Sequence, residues 1–538
     1  MRFKKIFTGI MILCMVFLAA CGGETAKEGK ENNNGDTQKN TDIQQAKEPM
    51  NGGSIVFPIG SDPLVLNPLY GNDRVTMTVN NALYDPLYNT NNGEVHYYLA
   101  ESITPSEDYM TYTLKLKEGI KWHDGHALTA DDVIFTLQQI LDPNQNSTIR
   151  ENFIINGKQI EVNKINDLTL DFKLPELSMT FMGSMDQFYP IPKHIFEGEK
   201  DLAKSEKNDS PVGSGPFKFK EFVSGENVIL ERFDDYYGGK AYLDTVVYRV
   251  IGDENTSNIA LQTGELSAKY ISANDAEKFS KDDKLNVFTF NEGMLNNMVF
   301  ILNNETLKNK DMRQAIAYAI DKDELVKAAY ISSDYADPAY SIFTPDTAFY
   351  TDDVNPFDYN LEKAKELMAN AGVENLNLKL AYINSKKDQE SQGLVIQQRL
   401  KGIGINVELM ALDRGAFYQK LLNPKNTDFD MAFNGYVMGS EPDVYKSIFK
   451  TGQMYNFMGY SNSDIDDLWG KAAIETDKEK RSELYKTIQQ TIVEDMIEYP
   501  IAYPKSIVAI NKKYGGIEEA KPAPIFMFED LSKLYMTE

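Results

Sequence analysis

The stretch Lys121-Trp122-His123-Asp124-Gly125-His126 holds two of the four histidines in the chain, with an aspartate between them. Imidazole and carboxylate groups at this spacing are typical of metal ligands and of acid–base catalysts. A zinc site would need at least one more donor, and the nearby sequence offers only Asp131 and Asp132. Asp124-Gly125 is also a strong turn dipeptide. We therefore predict a structural turn here and no metal site.

The motifs of several common enzyme classes are missing from the sequence. It has no GxSxG or HExxH motif, and His194 is its last histidine. Gly213-Ser214-Gly215 and Gly238-Gly239-Lys240 lack the GxxxxGK[ST] spacing of a phosphate loop, so we interpret both as turns. A glycosidase-like hydrolase needs only two carboxylates, and 80 acidic residues leave that class open. We predict a protein that is not an enzyme and binds no cofactor, with a surface carboxylate-dependent hydrolase as the less favoured class.

Length and charge further limit the possible domain organisation and binding partners of the protein. A chain of 538 residues exceeds what one hydrophobic core usually supports and predicts two or three domains. A net charge of -25 repels phosphate backbones and anionic lipid headgroups. We expect a monomer that does not bind nucleic acid.

The amino-terminal residues indicate export and lipid attachment. Basic residues precede an apolar run that is too short to span a membrane, so residues 1–20 are interpreted as a signal peptide. Its end, Leu18-Ala19-Ala20-Cys21, resembles the lipobox of bacterial lipoproteins, in which the cysteine carries the lipid. Residues 21–53 contain almost no aliphatic side chains and predict a disordered tether. Cys14, the only other cysteine, lies in the signal, which excludes disulfides and thiolate sites from the mature body.

After the tether, the hydrophobic periodicity predicts mixed strands and helices. Alternating strands are predicted at 111–117, 168–174, 227–233, 376–383, 405–412 and 429–436. Thr129 and Asn360 are typical helix caps, for a helix through Leu137 and for one at 361–371 that Gly372 ends. A further amphipathic helix is predicted at 389–401. The segment 361–436 therefore predicts an α/β unit.

Five motifs resemble a known family, the oligopeptide- and dipeptide-binding proteins of ABC importers, or family 5 extracellular solute-binding proteins. They are LKEGIKWHDGHALTADDVIF at 116–135, SPVGSGPFKFKEF at 210–222, MRQAIAYAIDKDEL at 312–325, NLEKAKELMANAG at 360–372 and FDMAFNGYVMGSEPD at 429–443. Together they extend over most of the chain after the tether.

The resemblance implies an α/β, two-lobed periplasmic-binding-protein-like fold with an extra inserted domain and a hinge between the lobes. Two of its three domains are discontinuous. The base lobe would comprise 54–84, 193–294 and 506–538, with the inserted domain at 85–192 and the second ligand-binding lobe at 295–505. In this arrangement the histidine-containing turn belongs to the inserted domain, away from the ligand.

The resemblance also implies where a ligand binds. An extended peptide would lie between the lobes and pair through its main chain with a strand ending near Gly435. The candidate ligand-binding residues are Tyr70, Gly71, Asn72 and Asp73 on the base lobe, and Gly435, Tyr436, Val437, Met438, Gly439, Ser440, Glu441 and Asp443 on the second lobe.

The chain departs from the family at the group that receives the ammonium of the peptide. The common pattern is Gly-Trp-x-x-Asp-x-x-Asp-Pro, whose first aspartate accepts this charge. Here Tyr436 replaces the tryptophan, and Gly439 stands at the acidic position. Because a buried ammonium without a carboxylate is costly, we expect Glu441, Asp443 or Asp73 to substitute, unless the ligand has no free amine.

The predicted function is capture of small peptides at the extracytoplasmic face of the cell membrane and their delivery to an ABC permease. The expected partners are a peptide, the transmembrane subunits of the permease, and the membrane through the lipid on Cys21. A receptor for another solute on the same fold, such as an oligosaccharide, a nickel chelate or a signalling peptide, is the alternative.

Overall fold

The computed structural model of the chain describes residues 48–71, 73–91, 94–186, 188–423 and 425–537. The predicted signal peptide, Cys21 and most of the predicted tether lie outside these residues, as does Asn72. The last residues of the predicted tether are held by the folded body, because Met50 forms a backbone bridge with Met536 and Gly52 N–H donates to the Tyr242 carbonyl. Residues 50 and 52 are therefore already attached to the folded body.

A four-stranded sheet lies at the start of the body. β1 (Ser54–Ile59) pairs in parallel with β12 (Thr245–Val250), and β11 (Asn227–Arg232) and β10 (Phe217–Val223) follow in antiparallel order. Inward residues alternate with outward ones along β1, as a half-buried strand requires. α1 (Arg74–Leu83) contributes Val79, Ala82 and Leu83 to the same hydrophobic cluster.

A second four-stranded sheet is entirely antiparallel. Its order is β4 (Ala100–Pro105), β5 (Thr111–Leu116), β9 (Thr169–Lys173) and β8 (Glu161–Asn166). α2 (Ala130–Leu141) contacts β8 of this sheet. Thr129 caps the helix, as the sequence predicts, and forms a capping box with Asp132. The cluster of this region is separate from the first one and contains the fully buried Trp122.

The largest sheet has eight strands. The order is β13 (Ala268–Tyr270), β20 (Glu498–Asn511), β15 (Met294–Phe300), β19 (Met431–Val437), β17 (Leu376–Ile383) and β18 (Ile405–Leu412), and β14 (Leu285–Asn291) and β16 (Ala336–Pro338) also pair with β20. β17 and β18 are parallel and are connected by α11 (Lys387–Lys401). Since β17, α11, β18 and β19 all form, the predicted α/β unit is confirmed.

One long strand, β20, connects two hydrophobic clusters. Its first part pairs with β15 and contributes Tyr499 and Ile501 to the largest cluster. Its second part pairs with β14, and there Val508 and Ile510 join the cluster of the first sheet. β14 and β15 are joined through a turn at Glu292 and Gly293, so two neighbouring chain crossings connect the two halves.

The other elements complete the layers around the sheets. The remaining helices are α3 (Phe181–Met185), α4 (Lys193–Phe196), α5 (Glu254–Thr263), α6 (Ala273–Ser280), α7 (Glu305–Lys308), α8 (Lys310–Tyr318), α9 (Lys322–Tyr330), α10 (Leu361–Asn370), α12 (Arg414–Leu421), α13 (Lys446–Phe449), α14 (Ser463–Ala472) and α15 (Lys478–Asp495). Short hairpins form from β2 (Tyr88–Asn91) and β3 (Glu94–Tyr97), from β6 (Ile154–Ile155) and β7 (Lys158–Gln159), and from β22 (Pro522–Ala523) and β23 (Met527–Phe528), while β21 (Tyr514–Gly515) pairs with β24 (Tyr535–Met536). Within the described ranges, no helix combines the length and the apolar character that crossing a bilayer requires.

Candidate ligand-binding site

The carboxyl-terminal part of β19 has one unpaired edge. β15 pairs with all of β19 on one side, but β17 pairs with it on the other side only at Met431 and Ala432. Along residues 433–437, no strand of the described chain meets this second side. The open edge lies where the parallel strands β17 and β19 end, which is a common location for binding crevices in α/β sheets. Unpaired strand edges are templates to which an extended peptide can add.

Gly435 lets β19 lie close to its neighbour. A Cβ atom at this position would be 2.5 Å from Asn296 Oδ1 and 3.2 Å from the Leu295 carbonyl oxygen. Both distances are shorter than ordinary contacts, so a larger residue would have to move the Asn296 side chain and shift the Leu295 backbone slightly. The glycine thus allows β19 and β15 to pair closely.

The Tyr436 side chain turns away from the open edge and into the protein. Its hydroxyl lies 3.0 Å from the Ile342 carbonyl oxygen and 2.8 Å from Glu498 Oε1. Asn297 Nδ2 donates to the other Glu498 oxygen at 2.8 Å. Burial raises the pKa of Glu498 to about 8, although its hydrogen bonds with Tyr436 and Asn297 lower it. Tyr436 therefore anchors β19 through its side chain, and the main chain of the strand stays available at the open edge.

The loop after β19 is held by hydrogen bonds from Thr347 and Ala348. Ala348 N–H donates to the Ser440 carbonyl at 2.8 Å, and the Thr347 hydroxyl lies 3.2 Å from the Gly439 carbonyl. Gly439 itself has a φ of +78°, a conformation that favours glycine. Val437, by contrast, is 45% exposed. The loop is fixed through its carbonyl groups, while the residue at the end of the strand is accessible.

Each acid predicted to receive a ligand ammonium already has a partner for at least one of its carboxylate oxygens. Glu441 forms an ion pair of 3.0 Å with Arg481, in which both side chains are largely buried. Asp443 is buried and pairs with Lys446. Asp73 caps α1 by accepting from Thr76 N–H at 3.0 Å. Burial raises the pKa of Glu441 to about 7 against the opposing effect of Arg481.

Asp186 is an acid near this loop that sequence reasoning missed. Its carboxylate accepts from the Thr90 hydroxyl at 2.9 Å and lies 3.4 Å from the Ser440 hydroxyl. None of the ion pairs among the described residues involves Asp186, and burial raises its pKa to about 7. α3, which ends just before it, approaches the loop so closely that a Cβ on Gly183 would lie 2.5 Å from Glu441 Cβ. The family pattern did not point to this residue because it lies outside the quoted motifs.

The base-lobe candidates lie at the start of α1. The Tyr70 hydroxyl is 3.2 Å from Gln145 Oε1, and its ring packs against the cluster of the second sheet. A Cβ on Gly71 would lie 2.6 Å from Thr76 Cγ2, so this glycine permits the tight entry into the helix. Asp73 Oδ2 is buried without a hydrogen-bond partner among the described residues. These positions therefore have structural roles, and Asp73 keeps one free acceptor.

The histidine-containing turn, in the motif at 116–135, is hydrogen-bonded to the motif at 210–222. Gly213 N–H donates to His123 Nδ1 at 3.0 Å, so Nε2 carries the proton and donates to the Gly215 carbonyl at 3.0 Å. Burial lowers the pKa of His123 to about 4, which keeps the ring neutral. A Cβ on Gly215 would lie 2.7 Å from the Ala82 carbonyl oxygen. This glycine segment, interpreted from the sequence as a turn rather than a phosphate loop, forms a bend that packs against the backbone at the end of α1.

The other histidine of the turn lies in a different cluster. His126 Nδ1 is 3.2 Å from Asp124 Oδ1, and His194 Nε2 is 2.6 Å from Asp124 Oδ2. The two imidazole rings stack with their centroids 4.2 Å apart. The potential ligand atoms of these three side chains all lie within 4.8 Å of one another. His194 is the further donor that the local sequence did not offer.

Comparison with known proteins identifies the family to which the chain belongs. Residues 94–456 match the model of the bacterial extracellular solute-binding proteins, family 5. The chain is 31% identical over 534 residues to the oligopeptide-binding protein AppA of Bacillus subtilis, with 94% of each chain covered. It therefore belongs to the family 5 extracellular solute-binding proteins, and the resemblance inferred from its five motifs is confirmed.

Solved structures agree with this assignment. The ABC transporter substrate-binding protein CtaP of Listeria monocytogenes is 44% identical, with a TM-score of 0.89 over 91% of this chain and 100% of that one. AppA of Bacillus subtilis in complex with a nonapeptide is 30% identical, with a TM-score of 0.74 over 91% of this chain and 100% of that one. The predicted α/β, two-lobed fold is confirmed, and the family places the protein outside the cytoplasm.

Proposed function

We propose that this protein captures an extended peptide between its lobes and delivers it to an ABC permease for import. The observation that carries the proposal is the unpaired edge of β19 at residues 433–437. A peptide that adds there gains main-chain hydrogen bonds that every sequence can form, so binding would tolerate different side chains. The relatives named for oligopeptide binding and for ABC transport support the same solute class and the same partner.

A closing motion would complete the site. We assign the base lobe to 54–84, 193–294 and 506–538, the inserted domain to 85–192 and the second lobe to 295–505, and β20 and the turn at Gly293 would serve as the hinge. Three separate hydrophobic clusters support this division. The cluster of the inserted domain also includes Leu69 and Leu202, so neighbouring base-lobe residues pack with it.

Native mass spectrometry of the protein purified from cells tests the solute class. A co-purified peptide, released on denaturation and identified by its mass, is the expected result. An oligosaccharide or a metal chelate in its place would favour the alternative receptors on the same fold. Turnover of oligosaccharides by the purified protein would instead support the hydrolase, and we infer no catalytic step from the site.

The main-chain mode of binding has its own test. Synthetic variants of the identified peptide would each carry one N-methylated amide, which removes a single N–H donor. Because strand addition uses the N–H groups of alternate residues, we expect affinity to fall at every second position across the paired segment. A uniform small effect, measured by calorimetry, would contradict pairing with β19. Methylation of a side-chain amide in the same peptide is the matched control.

We also propose that Cys21 carries a lipid that anchors the protein at the outer face of the cell membrane. The support is the lipobox-like Leu18-Ala19-Ala20-Cys21 after an apolar segment. In a Cys21→Ala variant we expect loss of the anchored form, measured as protein released from the membrane fraction. Unchanged retention of this variant would refute the lipid attachment without affecting the peptide proposal.

A further inference from the structure

Three side chains from two separate chain segments converge at the surface of the molecule. Asp124 and His126 lie on a tight turn, in which Trp122 N–H donates to the His126 carbonyl at 2.8 Å and Gly125 N–H donates to the Trp122 carbonyl at 2.9 Å. Gly125 has a φ of +90°, a conformation that favours glycine and lets the chain reverse its direction. His194 comes from α4, far along the chain.

The two segments are held together by Asp132. One oxygen of its carboxylate accepts from Thr129 N–H at 2.8 Å in the capping box of α2. The other oxygen accepts from Lys193 N–H at 2.9 Å, at the first residue of α4. Asp132 is 5% exposed, so this connection is part of the interior. It orients the helix that carries His194 toward the turn.

We propose that Asp124, His126 and His194 form a binding site for a divalent transition-metal ion such as Zn²⁺. Two imidazoles and one carboxylate are a ligand set that suits zinc, nickel and copper, and three protein ligands with water in the remaining position are common in open zinc sites. The inference is independent of peptide binding. It revises the expectation of no metal, which rested on donors close in sequence.

The potential ligand atoms lie within 4.8 Å of one another, so modest side-chain movements would bring them around one ion. Around a tetrahedral zinc ion with bonds of about 2.1 Å, two ligand atoms lie about 3.4 Å apart. The His126 Nδ1 to Asp124 Oδ1 distance is already 3.2 Å. His194 Nε2 and Asp124 Oδ2, now hydrogen-bonded at 2.6 Å, would have to separate by less than ~1 Å. The His126 side chain is 64% exposed, which gives it room to adjust and gives the ion a path of entry.

The position of the site predicts what the ion would do. It would link the turn of the inserted domain to α4, at the boundary where the chain returns to the base lobe. A ligand that binds only the folded state raises thermal stability according to its concentration and affinity. We therefore expect a structural effect of the metal rather than a catalytic one.

Isothermal titration of the processed chain with ZnCl₂, without a histidine tag and after chelator treatment, tests the proposal. We expect saturable binding of one ion per chain, a rise in melting temperature with zinc, and a visible spectrum typical of nitrogen and oxygen ligands when CoCl₂ replaces zinc. His126→Gln and His194→Gln should each lower the affinity by at least about tenfold, because each removes a direct ligand.

The matched control is His96→Gln, which alters a histidine outside the cluster and should bind zinc like the wild type. His123 is not a suitable control because both of its ring nitrogens are hydrogen-bonded to the base-lobe turn. Circular dichroism verifies that each variant is folded. Absence of saturable binding by the wild type, or equal affinity of the double variant at positions 126 and 194, would overturn the proposal.

Discussion

At the scale of single residues, burial decides the protonation state of Glu498. The Tyr436 hydroxyl has one proton and lies within hydrogen-bond distance of two acceptors, the Ile342 carbonyl oxygen at 3.0 Å and Glu498 Oε1 at 2.8 Å. Glu498 is 1% exposed, and burial raises its pKa to about 8. The anchor of β19 is therefore an uncharged carboxyl group at neutral pH.

We predict that Glu498→Gln changes how stability depends on pH. The pKa of Glu498 is higher in the folded state than in the unfolded state, so the folded state binds more protons between these two pKa values. The free energy of unfolding therefore falls as pH rises from about 4.5 to about 8, by roughly 1.4 kcal/mol per pH unit. Glutamine keeps both hydrogen bonds and has no proton to lose. In urea unfolding from pH 5 to pH 9, the free energy of unfolding of the variant should rise relative to that of the wild type up to about pH 8. Above that pH the difference should stay constant. A constant difference would contradict the raised pKa.

We propose Asp186 as an acceptor for a ligand ammonium, because Glu441 and Asp443 are ion-paired with Arg481 and Lys446, and Asp73 caps α1 through one oxygen. We predict that Asp186→Asn weakens binding of a peptide with a free amino terminus by about 2 to 5 kcal/mol, since it removes one partner of a buried charge pair. The N-acetylated form of the same peptide should not distinguish the variant from the wild type. Calorimetry with both peptides measures this difference.

Asp443→Asn serves as the control in the same experiment, because Asp443 pairs with Lys446. It should bind the two peptides like the wild type does. An equal loss for the free and acetylated peptides in Asp186→Asn would assign Asp186 a purely structural role, in its contacts with Thr90 and Ser440.

At the scale of elements, local patterns predicted β17, β18, β19, α10 and α11 but not β15 and β20, which complete the sheet beside the site. β17 and β18 have the predicted bounds, and Asn360 and Gly372 cap and end α10 as expected. These features depend on periodicity and capping within a few residues, which the sequence contains directly. The open edge of β19 depends instead on where β17 stops pairing, and no local pattern reports that.

We predict that Gly435→Val destabilises the protein by about 1 to 3 kcal/mol, because the new side chain meets Asn296 and the backbone of Leu295. Gly470 provides a matched control, since it lies in α14 with no atom near its missing Cβ. Gly470→Ala should raise stability by about 0.5 to 1 kcal/mol. Both values come from denaturant unfolding, and no loss in Gly435→Val would show that β15 and β19 can separate freely.

At the scale of the whole molecule, β20 and the β14–β15 turn connect the halves between which a ligand would lie. Gly293, in that turn, has a φ of +64°, and its nearest neighbours are at ordinary contact distance. Among the described residues, the chain crosses twice between the two parts of the largest sheet, at this turn and within β20. Few crossings are what a hinge needs, because few dihedral angles must change when the lobes move.

We predict that a bound peptide makes the molecule more compact in solution. Small-angle scattering of the ligand-free protein and of its complex with the peptide identified by mass spectrometry should show a smaller radius of gyration for the complex. A peptide N-methylated at the paired positions should leave the curve unchanged. Identical curves for the free protein and the saturated complex would contradict closure of the lobes.

The sequence by itself determined the α/β character, the caps and the turns, because these properties depend on residue type and local spacing. Its motifs also determined the family, and the resemblance implied the segment from Gly435 to Asp443 as the candidate site. Only the tertiary structure decided which partners the charged side chains have. It placed Arg481 beside Glu441, made Asp73 a helix cap, and brought Asp186 to Ser440. It also brought His194 to the turn at Asp124 and His126. Such contacts join segments that are distant in the chain, and their distances are set by how whole elements pack.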